Sequence, residues 1–526
     1  MAEVLKDRAS VWLFAVGVAA VSAGALLHAP MFLMGKDMGF RLAGMPMDRP
    51  MIAGMFMIIA GIGLAGWGLL PRNVAAQIEA SRHISVKAPE DAPLTGAHWQ
   101  LMAVLVIALV IDVMKPAALG FVMPGVKEEY AVSAARGAAL PFAALFGTVV
   151  GSVFWGVMAD IYGRKATIML SAVMFVGTSI CGAMPSLNWN IFMCFLMGAA
   201  AGGMLPVTYA LLAEIMPTKH RGWALVLVGG LGSGGGYFAA SGFSAWLEPI
   251  FSWRVLFLLN LPTGLLLLSL SGFIPESAKF LLARGRRAEA QAAMARFGTR
   301  GIEHGPERED VDFAPVHVDP ETHRGGLWAP GFRGRTAALT TIALSWGLVN
   351  FGLLLWMPAD FVSRGLPMAA ASRLLAQSAL IAFPTVAVGA FFYSRWSTKG
   401  SLLAATVVSG LGLVGVLAMD ALGIRLPPVA IIALLIVGNN AVLAIVLPYA
   451  SESYPLHIRG RATGWIAAST KAGGLAAQAL SVAALVPPLG VVAALILAPV
   501  LLGLALTLAF CPETRGVDLR LVDARA

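Results

Sequence analysis

Apolar runs of about 20 residues, each long enough to cross a hydrocarbon layer as a helix, recur along the whole chain between short polar loops. They predict fourteen spans, at 10–29, 50–70, 99–123, 138–159, 166–184, 189–213, 222–246, 254–273, 336–357, 372–394, 400–420, 428–450, 462–485 and 489–510. Only two segments read as substantial polar structure, a linker over 72–98 and a mixed-charge stretch over 274–335, and both are expected to be solvated connections. The second opens on an Arg- and Ala-rich run around Arg284–Arg296 that predicts a short amphipathic helix. The pattern is that of an all-α polytopic membrane protein.

Composition agrees with the pattern. Hydrophobic residues make up 58% of the 526 and charged residues only 12%, against roughly 25% charged in soluble proteins, which excludes a water-soluble enzyme. The net charge of +9 does not point to nucleic acid, because the basic residues collect in alternate loops. Of the 37 Lys and Arg, nine fall in one set of loops (Lys36, Arg41, Arg49, Lys127, Arg136, Arg254, Arg364, Arg373, Arg425), Lys115 and Lys471 fall within spans, and the remaining 26 fall in the other set. By the positive-inside rule both termini are expected in the cytoplasm, here of a bacterial inner membrane. No nucleophile–base set, phosphate loop or zinc signature is visible. No enzyme activity, cofactor or metal is therefore expected.

An internal repeat organises the chain. Glu214-Ile-Met-Pro-Thr-Lys-His-Arg221-Gly222 and Glu452-Ser-Tyr-Pro-Leu-His-Ile-Arg459-Gly460 share E-x-x-P-x-x-x-R-G at an offset of 238, and Pro275-Glu276-Ser277 and Pro512-Glu513-Thr514 lie 237 apart. Two motifs at nearly one offset place 99–273 opposite 336–510. The domains are then an appendage of two spans with its linker (1–98), a first six-helix bundle (99–273), a central loop (274–335), a second bundle (336–510) and a tail (511–526). A short loop between the fourth and fifth spans, Gly156-Val-Met-Ala-Asp160-Ile-Tyr-Gly163-Arg164-Lys165, packs an acid and two bases around a glycine turn. Charges of opposite sign at helix ends, where water thins out, are suited to latch one face of the bundles.

These residues resemble the major facilitator superfamily, in its branch of sugar porters and aromatic-acid and metabolite proton symporters, over about 99–516. The Gly156 loop matches that family's loop between its second and third helices, and the two E-x-x-P-x-x-x-R-G and P-E-S/T runs match further signatures of the branch. The resemblance implies two six-helix bundles around a central cavity, alternating access, a small-molecule substrate and coupling protons. In the second half the loop counterpart, Tyr393-Ser-Arg395-Trp-Ser-Thr-Lys399-Gly400, lacks the acid. The first core helix, Asp112-Val-Met-Lys115-Pro-Ala-Ala-Leu-Gly120-Phe121-Val-Met-Pro124, aligns with the aromatic-acid symporter pattern D-G-F-D-x-x-x-x-G-F-V-x-P, so that Lys115 replaces the second acid. Cys194 stands where relatives carry an arginine.

A charge at mid-membrane costs roughly 2.5–3.5 kcal/mol on insertion scales and normally faces a cavity or a partner. Asp112 and Lys115, three residues apart, share a helix face and are read as either a structural ion pair or substrate and proton groups. Lys471 is a second such cation, interfacial or cavity-facing. Asn350, the repeat counterpart of Asp112, with Asn439, Asn440 and Gln478, completes the candidate pathway. Two cations favour an anionic substrate, and a proton-coupled transporter of a small organic acid is the function expected. A sugar or other metabolite carrier, or a sensor or scaffold of transporter fold, is the alternative. The gating candidates are Gly156, Asp160, Gly163, Arg164, Lys165, Glu214, Arg221, Glu276, Glu452, Arg459 and Glu513.

Overall fold

A computed structural model describes residues 8–69, 84–87, 93–276, 278–283, 286–298, 300–303, 326–420, 423–454 and 456–515. Among them an appended hairpin, α1 (Arg8–Leu26) and α2 (Arg49–Leu69), precedes a first bundle of α3 (Gly96–Glu129), α4 (Ala139–Tyr162), α5 (Arg164–Gly177), α6 (Leu187–Ala201), α7 (Met204–Ile215), α8 (Thr218–Phe251) and α9 (Asn260–Leu270). After the connecting helix α10 (Arg287–Phe297), the second bundle comprises α11 (Arg333–Leu348), α12 (Leu354–Ser363), α13 (Met368–Ala382), α14 (Thr385–Arg395), α15 (Thr398–Asp420), α16 (Pro428–Ser453), α17 (Leu456–Val482) and α18 (Leu489–Phe510). Among the described residues thirteen helical segments are long and apolar enough to cross a membrane. The span expected at 462–485 lies on α17, which carries Lys471, Gln478 and several Ser, Thr and Gly residues and is not among the thirteen.

The duplication read from the motifs is visible in the packing. Within the first bundle α3 packs on α8, α4 on α6 and α5 on α9, and the second bundle repeats this as α11 on α17, α13 on α16 and α15 on α18. Where the bundles meet, α8 lies against α13, α14 and α16, α3 against α12, and α4 against α17. The seam between the bundles therefore runs past Asp112 on α3 and Lys471 on α17.

Two elements fall where solvated connections were expected. Ile84–Lys87 (β1), in the linker, pairs antiparallel with Arg300–Glu303 (β2), in the central stretch, with Val86 opposite Gly301. The strands stitch the appendage linker to the connection between the bundles. The amphipathic helix predicted from Arg284 to Arg296 is present as α10, starting at Arg287.

The hairpin packs tightly because glycines face each other. A Cβ on Gly24 would lie 2.6 Å from the Gly54 carbonyl oxygen, and one on Gly54 would lie 2.5 Å from that of Gly24, so only glycine permits the approach. The hairpin rests on α5 through Val21 and Ile58, both buried and both close to Gly177.

Candidate functional site

The helix α3 is interrupted where its charges sit. Pro116 has no N–H to give the carbonyl of Asp112 four residues back, so the backbone hydrogen-bond ladder breaks between the two charged positions. Asp112 is 6% and Lys115 2% exposed, and Asp112 Oδ1 and Lys115 Nζ have no hydrogen-bond partner among the described residues. The Lys115 ammonium instead lies 3.0 Å from the centre of the Phe175 ring on α5, a cation held on an aromatic face. Both Lys115 and Lys471 act electrostatically on Asp112. Lys471 comes from the opposite bundle, is less buried than Lys115 and lies 5.4 Å from the Phe351 ring centre. One acid on the first bundle is thus acted on by a lysine of its own helix and by a lysine of the opposite bundle.

Asn350 lies within a π-helical turn, Val349–Leu353, that joins α11 to α12. Such bulges displace one turn and leave carbonyls without their usual donors, and they occur frequently at functional sites. Gln478 Nε2 donates to the carbonyl of Phe351 in that turn, and Asn439 Nδ2 lies 3.4 Å from Asn350 Oδ1. Asn440 points the other way, toward Gly234 of α8, and its Nδ2 has no partner among the described residues. Buried polar atoms left without a protein partner are uncommon. Here they mark the seam.

The motif residues assemble at one end of the bundles, hereafter the motif face. Gly163 starts α5 with φ +97°, and a Cβ there would lie 2.8 Å from the Glu276 carboxylate, so both the backbone conformation and the contact require glycine. Glu276 Oε1 accepts from the backbone N–H of Arg164 at 2.9 Å and of Lys165 at 3.4 Å, capping the positive end of α5. Arg164 donates to Glu214 at 2.9 Å and to the carbonyl of Ala159 at 2.8 Å, and Lys165 is buried.

The second bundle repeats the cap. Glu513 accepts from the N–H of Thr398 at 2.9 Å, where α15 begins, and from the hydroxyls of Thr398 and Ser397. Glu452, the repeat partner of Glu214, accepts from Tyr393 Oη at 2.8 Å and from Thr514 Oγ1 at 3.0 Å, and it lies against Gly222 of the first bundle. Burial alone would push the Glu513 carboxyl up, but the hydroxyl and backbone donors outweigh it and hold the group at about 2. Gly156 lies within α4 and Arg221 within α8, while the side chains of Asp160 and Arg459 lie outside what is described.

At the opposite face a cluster appears that motif reasoning missed. Arg254, counted from sequence only as a loop charge, is fully buried and donates to Glu129 at 2.7 Å. Glu129 also accepts from Trp253 Nε1 at 3.0 Å and from the N–H groups of Leu42 and Ala43 at 2.6 and 3.0 Å. The appended loop is bolted there to the first bundle, and Arg41 adds an ion pair to Glu128. Phe175 and Glu129 carry no motif signature, and only their positions in space reveal them.

Two six-helix bundles joined by a connecting segment, with charged groups at their seam and repeated latches on one face, define a polytopic membrane carrier. Residues 105–478 match the Major Facilitator Superfamily, and the chain belongs to that family: it is a membrane transporter and not an enzyme. It is 24% identical over 396 residues, 74% of this chain and 87% of the relative, to a niacin transporter of Acinetobacter baylyi. To a 4-hydroxybenzoate transporter of the same organism it is 28% identical over 317 residues, 57% of this chain and 67% of the relative. Its fold matches the proton:xylose symporter XylE with a TM-score of 0.62 at 16% identity, covering 81% of this chain and 98% of XylE.

Proposed function

We propose that the protein is a proton-coupled transporter of small organic acids of aromatic type, working by alternating access in a bacterial inner membrane with both termini cytoplasmic. The observation that carries this reading is that Asp112, buried on the first bundle, is acted on by both Lys115 and Lys471, the second from the facing bundle. Lys471 is the cation that meets the substrate carboxylate, because it keeps access to the seam while Lys115 is committed to Phe175. Asp112 holds the coupling proton, and its charge is compensated by Lys471 until the substrate carboxylate competes for that lysine. Asn350, Asn439, Asn440 and Gln478 line the same route. At the motif face Gly156, Asp160, Gly163, Arg164, Lys165, Glu214, Arg221, Glu276, Glu452, Arg459 and Glu513 set the balance between conformations without touching substrate. The niacin and hydroxybenzoate relatives support the carboxylate class.

The test is uptake into proteoliposomes of a panel of aromatic carboxylates and sugars, with and without a pH gradient. Carboxylates alone should accumulate, and a protonophore should abolish the accumulation. Lys471→Met should remove saturable uptake, whereas Lys115→Met should retain substrate affinity within a few-fold. Accumulation of sugars without carboxylates, or no flux of any solute, would overturn the proposal; so would full activity in Lys471→Met.

A further inference from the structure

At the face opposite the motifs the two bundles are joined by a chain of hydroxyls that ends on a carboxylate. Ser372 Oγ of α13 and Ser244 Oγ of α8 lie 2.9 Å apart across the seam, and Ser244 donates to Glu248 Oε2 at 2.6 Å. Both serines are fully buried. While Glu248 is ionised Ser244 spends its proton on it, so Ser372 is the donor to Ser244 and the chain runs from the second bundle to the first and terminates on the acid. Glu248 in turn borders a cavity of about 360 Å³ that is also lined by Arg41, Glu128, Glu129 and Met368.

The charged groups around that cavity are already matched to one another. Arg41 of the appended loop pairs with Glu128, and Glu129 pairs with Arg254. The second bundle presents Met368, Ala369 and Ser372 to the same region, none of them titratable. Among the described residues Glu248 has one hydrogen-bond donor, Ser244. It is the acid in this cavity with no basic partner, and it holds the far end of the only hydroxyl chain described across this face.

We propose that Glu248 is a second proton-binding site, whose charge state sets whether the bundles are held together at this face. The ionised carboxylate polarises the hydroxyl chain and holds Ser372 to Ser244, since hydrogen bonds to a charged acceptor are roughly twice as strong as neutral ones. A proton arriving through the cavity removes the charge that orders the chain, and the face opens. This deepens the transporter reading and rests on it for its role in coupling: the proton that loosens this face enters from the side on which the face opens. The change in acceptor strength shifts the open-to-closed ratio by about five- to tenfold.

Spin labels on Ser133→Cys and Ala370→Cys, exposed positions on the first and second bundles at this face, read the separation by pulsed dipolar spectroscopy. The native cysteines are buried. In detergent, without substrate or gradient, the long-distance population should rise about five- to tenfold as the pH falls from about 8 to about 3.5, through the ordinary glutamate range. Glu248→Gln should hold the long distance at every pH, Ser372→Ala should blunt the response from the other bundle, and Asp112→Asn should leave it intact. A pH-independent distance in the unaltered chain, or an unchanged response in both Glu248→Gln and Ser372→Ala, would overturn the proposal. Since no transport is measured, a chain that shows the response but moves no carboxylate refutes the transporter reading alone.

Discussion

The two bundles share an architecture, and their described ion pairs lie at different depths. On the motif face each begins its third membrane span under a glutamate from its own end, Glu276 in the first and Glu513 in the second. Beside that cap the first bundle sets Arg164 against Glu214, while the second sets the hydroxyls of Tyr393 and Thr514 against Glu452. The opposite face also differs between the halves. The first bundle buries Arg254 against Glu129, and the second uses Arg364, 47% exposed, against Asp360 and Asp420. The duplicated fold kept the helix caps, which any helix start needs, and changed the donors beside them. At the face opposite the motifs the first bundle, with its appended hairpin, is fixed by a buried ion pair, and the second by more exposed ones.

The largest effect on this contrast should come from Arg254→Met. Removing one partner of a buried pair leaves the other charge uncompensated, at a cost of about 3–5 kcal/mol, and the midpoint of thermal unfolding in detergent should fall accordingly. Arg364→Met, the parallel change in the second bundle, should cost under about 1 kcal/mol because its pairs are partly exposed. Equal losses would erase the difference between the halves.

Next is Glu276→Gln, which weakens the cap on α5 and should lower stability by about 0.5–2 kcal/mol, read by the same melt. A smaller loss, about 0.5–1.5 kcal/mol, is expected for Tyr393→Phe, since Thr514 still donates to Glu452.

The smallest concerns pH. Glu513 is held at about 2, below its unfolded value near 4.5, so its contribution is complete above about pH 4.5 and is lost as pH falls toward about 2. The difference in unfolding midpoint between the unaltered chain and Glu513→Gln should therefore be constant from neutral pH down to about 4.5 and shrink below it. A difference that grows on acidification would show that the carboxylate is not the stabilising form.

Much of this was legible in one dimension. Apolar runs declare themselves by length, and the repeat by two motifs at one offset, so the bundles, their order and the pairing of Glu214 with Glu452 could be read directly. Asp112 and Lys115 were visible as charges in an apolar run. What stayed hidden were contacts whose partners lie far apart without a shared motif: Lys115 over Phe175, Lys471 beside Asp112, and Arg254 with Glu129. The strand pair was missed because Ile84-Ser85-Val86-Lys87 alternates over only four residues, too few to separate from a polar linker.

That strand pair also has a bearing on how the protein is made. Ile84–Lys87 leaves the ribosome about 200 residues before its partner at Arg300–Glu303. At synthesis rates of about 5–20 residues per second, the first strand waits on the order of 10–40 s with an open edge. During that interval the whole first bundle emerges, and the edge can close only after the chain has returned past its ninth helix. The pairing is thus a late stitch, made when the first half has been inserted, and a chain in which one of the six spans between the strands failed to cross would bring its strands out on opposite sides of the membrane.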